Sequence, residues 1–207
     1  MRALMTLVIV VLGLAVAVEV VAIGGAWWLH RGGQIDEEIR WLERLRPALA
    51  WDHAYEAQVD RLYRERVRRE LDQDRLDKAV HALRLARGRA LSRGQRPDRD
   101  LTSLGIETFT RAADRMEAHG RLSVAADWDD SLFALAVRGS EPHHRFAAVA
   151  AFIEGLDLRV RDGHPCDALS RVEWAKRGLG GQIPGFQPSV EEDLRIQCER
   201  FRRNRRA

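Results

Sequence analysis

The side chains able to do chemistry in this 207-residue chain fall into a few groups. His143, His144, His164 and Cys166 come closest to a metal-binding pattern, because imidazole nitrogens and thiolates are zinc ligands. His164 and Cys166 lie two apart in a Gly-His-Pro-Cys stretch, and the other two histidines begin the preceding helical segment. A helix of about 19 residues is roughly 28 Å long, so the two pairs sit at its opposite ends and share no ion. No metal or other cofactor is expected. Asp127, Asp129 and Asp130 gather three carboxylates near a helix start. A calcium loop would need further oxygen ligands at loop spacing and a turn-forming glycine. A solvated, dipole-stabilised helix start is the expectation here. Cys166 and Cys198 are the only cysteines. In an exported domain they would form a disulfide that staples the terminal helix to the last hairpin. Two separately buried thiols are the alternative.

Catalytic signatures are absent. The chain has no glycine-rich dinucleotide or phosphate loop, no Cys-x-x-Cys, no haem-attachment motif and no Gly-x-Ser-x-Gly. It is therefore expected not to be an enzyme. A helical hydrolase of envelope polymers is the alternative from a different class. It would need a carboxylate in a cleft, with Glu154 or Glu173 as first candidates. Basic residues cluster at Arg61, Arg64, Arg66, Arg68 and Arg69, but Glu65, Glu70, Asp72 and Asp74 interleave with them. That mixture reads as a solvated face with helix ion pairs. The basic tail Arg200, Arg202, Arg203, Arg205 and Arg206 could attract anionic lipid or nucleic acid. The net charge of +3 and the lack of an aromatic stacking platform argue against nucleic acid.

What positions these groups is set first by the N-terminal segment. Residues 3–29 hold a single charge, Glu19. The run is long enough to cross a bilayer, which needs about 20 residues. Trp27 and Trp28 at its end are suited to the headgroup layer as interfacial anchors. A cleaved signal peptide is the competing reading, with Arg2 as its positive head and Gly24-Gly25-Ala26 before the cut. Its apolar core should be only about 7–15 residues. Residues 1–30 are thus read as a single transmembrane anchor in the cell (inner) membrane. Glu19, with Gly13 and Ala17 at close-packing spacing, suggests contact with another membrane helix. Arg31, Arg40, Arg44 and Arg46 after the span favour a cytoplasmic domain by charge count. The short positive head before the apolar run favours export instead. The periplasmic, extracytoplasmic side is the expectation.

Beyond residue 33 no period-2 strand pattern occurs, and apolar residues recur at helical spacing. Ile35, Ile39, Leu42, Leu45 and Leu49 make one stripe, interrupted near Pro47. Phe146, Val149, Ala150, Ile153, Leu156 and Val160 make the cleanest. Glycine and proline breaks divide the chain into a juxtamembrane helix or linker (31–50) and a helical domain (51–207). The domain holds hairpins at 51–91, 101–138 and 142–178, and a capping helix at 189–204 with Ser189 as its N-cap. Ala79, Ala125 and Ala168 recur at offsets of 46 and 43 residues, as stacked helix pairs would require.

Leu76-x-x-Ala79-x-x-x-Leu83-x-x-Ala86 and Gly163-x-x-x-x-Ala168-x-x-x-Val172-x-x-Ala175 resemble the second helix of the tetratricopeptide-like helical-repeat superfamily, and Leu104-Gly105 resembles its first. The middle copy departs from the pattern, with Asp129 where a large apolar residue is expected. The resemblance covers about residues 51–178. It implies an all-α solenoid with a groove for a peptide or protein partner and no chemistry of its own. An irregular helical bundle remains open. The expected function is a membrane-anchored protein-interaction scaffold or assembly factor, its partners including a membrane protein. An accessory subunit of a larger membrane complex is the near alternative.

Overall fold

The computed structural model describes residues 2–49, 53–139 and 141–205. They form nine helices and no strand: α1 (Arg2–Arg31), α2 (Ile35–Leu49), α3 (His53–Asp72), α4 (Leu76–Ser92), α5 (Arg99–Ala118), α6 (Leu122–Ala136), α7 (Pro142–Arg161), α8 (Pro165–Leu179) and α9 (Pro188–Asn204). The all-helical expectation holds.

One turn is used four times. Gly33 (φ 68°), Asp74 (φ 54°), Gly120 (φ 70°) and Gly163 (φ 82°) adopt the left-handed conformation, and a helix begins two residues after each. The next N–H in each case returns to a carbonyl of the helix just ended. The four bonds are Gln34 to Leu29 (3.1 Å), Arg75 to Glu70 (2.8 Å), Arg121 to Met116 (2.9 Å) and His164 to Arg159 (2.8 Å). This is the Schellman closure of a helix, which glycine enters without a Cβ penalty and aspartate tolerates better than most residues. The four pairs are therefore α1/α2, α3/α4, α5/α6 and α7/α8. Five residues after the turn residue stand Ala79, Ala125 and Ala168, all fully buried, and in the first pair Glu38, also buried.

The composition break at residue 30 is not a break in the packing. Ala22 and Ala26 on α1 are buried, and a Cβ at Gly25 would fall 2.7 Å from the indole Nε1 of Trp41 on α2. His30 Nδ1 lies 3.1 Å from Glu38 Oε2. Tyr55 at the start of α3 donates its hydroxyl to the Leu42 carbonyl at 2.6 Å, and burial pushes its pKa up to about 12. Leu42, Leu49, Val59 and Leu83 join a core that continues through Phe133 and Phe152, whose rings stack at 4.4 Å, to Leu194. Pro47 does not end its element and stays within α2, in the last turn. Ser189 is not the cap of α9. That helix starts at Pro188, whose fixed φ suits a first helical position, after an extended Gln187. Cys166 and Cys198 form a disulfide joining α8 to α9, with Cα atoms 4.7 Å apart.

Candidate acidic groove

Helices α5, α6 and α7 enclose a surface cavity of about 240 Å³. Apolar walls come from Ala113, Leu132 and Leu158, and carboxylates from Asp114, Glu117, Asp129 and Glu154, of which Glu117 is paired with Arg161. The cavity opens to solvent, since Asp114 and Glu154 are exposed. Gly155 makes the close approach of α7 to α6 possible, because a Cβ there would lie 3.0 Å from the Asp129 Cβ.

Asp129 is only 3% exposed, and its Oδ2 has no hydrogen-bond partner among the described residues. Burial pushes its pKa up to about 8. The charges of Glu154, Asp130 and Asp114 add to the shift, and Arg159 opposes it. A lone buried carboxyl behaves this way because the interior disfavours its charged form. Asp129 lies nine residues after the turn residue Gly120. The same position is occupied by Leu42, Leu83 and Val172 in the other three pairs, all fully buried. A carboxylate thus replaces a core residue of the repeat.

The neighbouring aspartates behave differently. Arg159 Nη2 lies 2.8 Å from both Asp127 Oδ1 and Asp130 Oδ2, and Arg171 Nε approaches Asp130 at 3.3 Å. Burial pushes the Asp130 carboxyl up, and the two guanidiniums hold it back. The expected solvated helix start is therefore corrected. α6 begins at Leu122, so the three aspartates occupy its second and third turns, with Asp129 and Asp130 buried.

A second buried polar centre ties α2, α3 and α4 together. Arg89 is 7% exposed and is paired with Glu43 of α2 and with Glu56 and Asp60 of α3. Arg93 shares Glu56 and Asp60. Beside it, Arg66 and Arg69 hold Asp36 at 2.8 and 3.1 Å, while Arg69 and Arg75 hold the buried Glu70 at 3.2 and 2.6 Å. The basic cluster on α3 is thus in good part a set of tertiary ion pairs. Arg64 pairs with Asp98, and only Arg61 and Arg68 are fully on the solvated face.

The membrane candidates separate into two faces. Ile9–Arg31 is long and apolar enough to cross a membrane. Trp27 and Trp28 are exposed at its end, with the Arg31 guanidinium 5.2 Å from the Trp27 ring. Gly13 and Ala17 are exposed, and nothing lies within 4 Å of a Cβ placed on Gly13. Glu19 is half-buried and lines a small cavity with Leu42, Ala54, Tyr55 and Gln58. Six residues leave Gly13 and Glu19 about 120° apart around the helix, so they lie on different faces. Gly13 and Ala17 share an exposed face, and Glu19 is turned towards the cavity between α2 and α3.

The remaining candidates are dispersed. Arg200, Arg202, Arg203 and Arg205 are exposed, with Arg203 3.4 Å from Glu199 and Arg205 4.8 Å from the Phe201 ring. Arg206 lies outside the described residues. His144 Nε2 is 2.9 Å from Ser103 Oγ, and burial, then the neighbouring His143, lowers its pKa. His164 is at the far end of α7, and no group of three or more potential ligands is arranged for a metal among the described residues. Glu154 lines the groove, whereas Glu173 is exposed on α8 and is not brought to it. Sequence reasoning missed both the groove and the Arg89 centre. The one available signal was Asp129 in a leucine position.

No protein-family model, no curated protein and no solved structure matches the chain.

Proposed function

We propose that the chain is a membrane-anchored protein-interaction module, a scaffold or assembly factor, that holds a tetratricopeptide-like stack of helix pairs against the outer face of the cell membrane. The observation that carries this reading is the shared turn. The apolar helix closes onto α2 through the same turn as the other three pairs, so it is the first member of the stack and no flexible tether intervenes. A partner captured by the stack is thereby held at a fixed height and orientation.

The depth in the bilayer follows from what can enter hydrocarbon. Packing on the core begins at Val18, and the outer face of α2 carries Glu37, Arg40 and Arg44. Charges of that kind stay in water or headgroups. Arg2 to Val21 measures about 30 Å as a helix, the thickness of the hydrocarbon layer. Glu19 then sits near the domain-side interface beneath Tyr55, and Trp27 and Trp28 reach the headgroups and the water above them. The Cys166–Cys198 disulfide supports the exported side, since such bonds persist in oxidising compartments.

Reporter fusions at the C-terminus test the side of the membrane. An active phosphatase fusion with a dark cytoplasmic fluorescent fusion is expected, and the reverse pattern overturns the orientation. Crosslinking followed by affinity purification in mild detergent tests the module. A reproducible partner contacting α5–α9 is expected, and a chain recovered only as a lone monomer overturns the reading.

A further inference from the structure

We propose that the groove between α5, α6 and α7 is a socket for one cationic side chain, a lysine or arginine of the partner polypeptide, whose charge is neutralised by Asp129 at its floor. This deepens the reading above and rests on it for the partner's being a protein.

Three observations converge. The floor carboxylate occupies a position where the other three pairs bury Leu42, Leu83 and Val172, and nothing in the packing calls for a charge there. Consistency of pattern across repeats makes such a departure the place to look for function. Its Oδ2 is buried without a hydrogen-bond partner, and no arginine, lysine or histidine lies within ion-pair distance of Asp114, Asp129 or Glu154 among the described residues. The nearby guanidiniums are already paired. Arg159 holds Asp127 and Asp130, and Arg161 holds Glu117, the fourth carboxylate of the groove wall, at 2.8 Å. Finally, the socket combines apolar walls with a charged end. That arrangement accommodates the methylene stem of a long cationic side chain and desolvates its head against carboxylates.

Binding is coupled to a proton. The carboxyl is raised to about 8 by burial and by Glu154, Asp130 and Asp114. The groups facing it are Asp114 and the Arg161-paired Glu117 from α5, Asp130 on α6, and Glu154 and Arg159 from α7. A cation stabilises the carboxylate, so its arrival expels the proton. Affinity therefore rises with pH up to about 8 and levels off above it, by reciprocal linkage.

The test uses the full chain in detergent micelles with n-butylammonium as a bare lysine side chain and n-butanol as its neutral counterpart. Carbon-detected NMR follows the Asp129 carboxyl and the Ala147 and Ala151 signals. Butylammonium should give saturable shifts at these sites and butanol none. Its affinity should tighten by up to about tenfold per pH unit between pH 6 and 8, and Asp129→Asn should weaken it at least about tenfold at pH 8 and flatten the pH profile. Absence of saturation, an equal response to butanol, or unchanged affinity in Asp129→Asn overturns the proposal. A photocrosslinker at Ala147 in native membranes separates the two readings. Partner capture lost in Asp129→Asn supports the socket. Capture equal in both forms overturns the socket and leaves the scaffold reading standing. Butylammonium binding with no protein ever captured overturns the protein partner and the scaffold reading together.

Discussion

Two buried charged centres lie on either side of this domain, and they are built on opposite principles. Around Arg89, one guanidinium meets three carboxylates from two helices, and Arg93 supplies a second positive charge. Around Asp129, three further carboxylates stand near a carboxyl that has no partner of its own. Burial is severe in both, so the interior alone does not explain the difference. The first centre is closed within the chain and clamps α2 to α3 and α4. The second is left open towards a groove. A buried charge is costly unless it is paired or neutralised: the carboxylates around Arg89 are paired, whereas Asp129 avoids the cost by keeping its proton up to about pH 8.

The sharpest way to break this contrast is to open the closed centre. Arg89→Met should leave Glu43, Glu56 and Asp60 facing one another with Arg93, and Arg46 at 3.9 Å from Glu56, to offset them. Removing one partner of a buried ion cluster typically destabilises by about 3–5 kcal/mol. Denaturant unfolding in micelles, followed by circular dichroism, should register a loss of that order. A change below about 1 kcal/mol would mean the Arg89 centre is not a clamp.

Next in size is the covalent staple at the other end. Cys166 and Cys198 are 32 residues apart in sequence, and releasing such a loop should cost about 2–4 kcal/mol. Cys166→Ser/Cys198→Ser should also raise amide exchange in α9 before it touches α2–α4. Simultaneous loosening of the Arg89 region would show that the two sides do not respond separately.

Closing the open centre should do the reverse of opening the closed one. Asp129→Asn removes a buried ionisable group and should stabilise the fold by about 1–3 kcal/mol near neutral pH. The sign follows from the proton. Asp129 holds it up to about pH 8 when folded, whereas the unfolded carboxyl loses it near 3.8. The folded state is thus favoured most at low pH, and its stability falls as pH rises from about 4 to 8, by up to about 1.4 kcal/mol per unit from this group. Melting curves of wild type and Asp129→Asn should therefore diverge with rising pH across that window. Parallel curves would put Asp129 in solvent.

How much of this was legible in the sequence depends on the range of the interaction. Helical stripes and glycine breaks are local, so the nine helices and three of the four pairs could be read from period and punctuation. With only two cysteines a single pairing was possible, but the choice between a disulfide and two buried thiols needed α8 and α9 to bring Cys166 and Cys198 together. That α1 and α2 form a pair like the others could not be read from composition, because the apolar run masks the turn at Gly33 and the fit of Trp41 on Gly25 is tertiary. Glu19 and Gly13 are close in sequence, although their faces lie about 120° apart around the helix. Asp127, Asp129 and Asp130 look alike as a string. Only the arrival of Arg159 from α7 and Arg171 from α8 tells which two are neutralised. Asp129 stood out as a break in the alanine-leucine pattern, and the meaning of that break needed the groove.

The smallest expected effect lies on the groove's rim, and it distinguishes depth from mere charge. Arg161 is half exposed and pairs with Glu117 at 2.8 Å. In solvent such a pair is worth no more than about 0.5–1 kcal/mol, so Arg161→Ala should barely move the unfolding midpoint, although its geometry rivals that of the buried pairs. The same change frees Glu117 to add its charge to the groove. At a separation of roughly 10 Å across water, one extra carboxylate contributes about 0.4 kcal/mol. Butylammonium should then bind about twofold tighter in low salt, and the gain should vanish near 1 M salt, where screening reaches only about 3 Å. A gain that survives high salt would place Glu117 in direct contact with the cation and enlarge the socket beyond Asp129. A stability loss as large as that of Arg89→Met would mean that burial is not what separates clamp from socket.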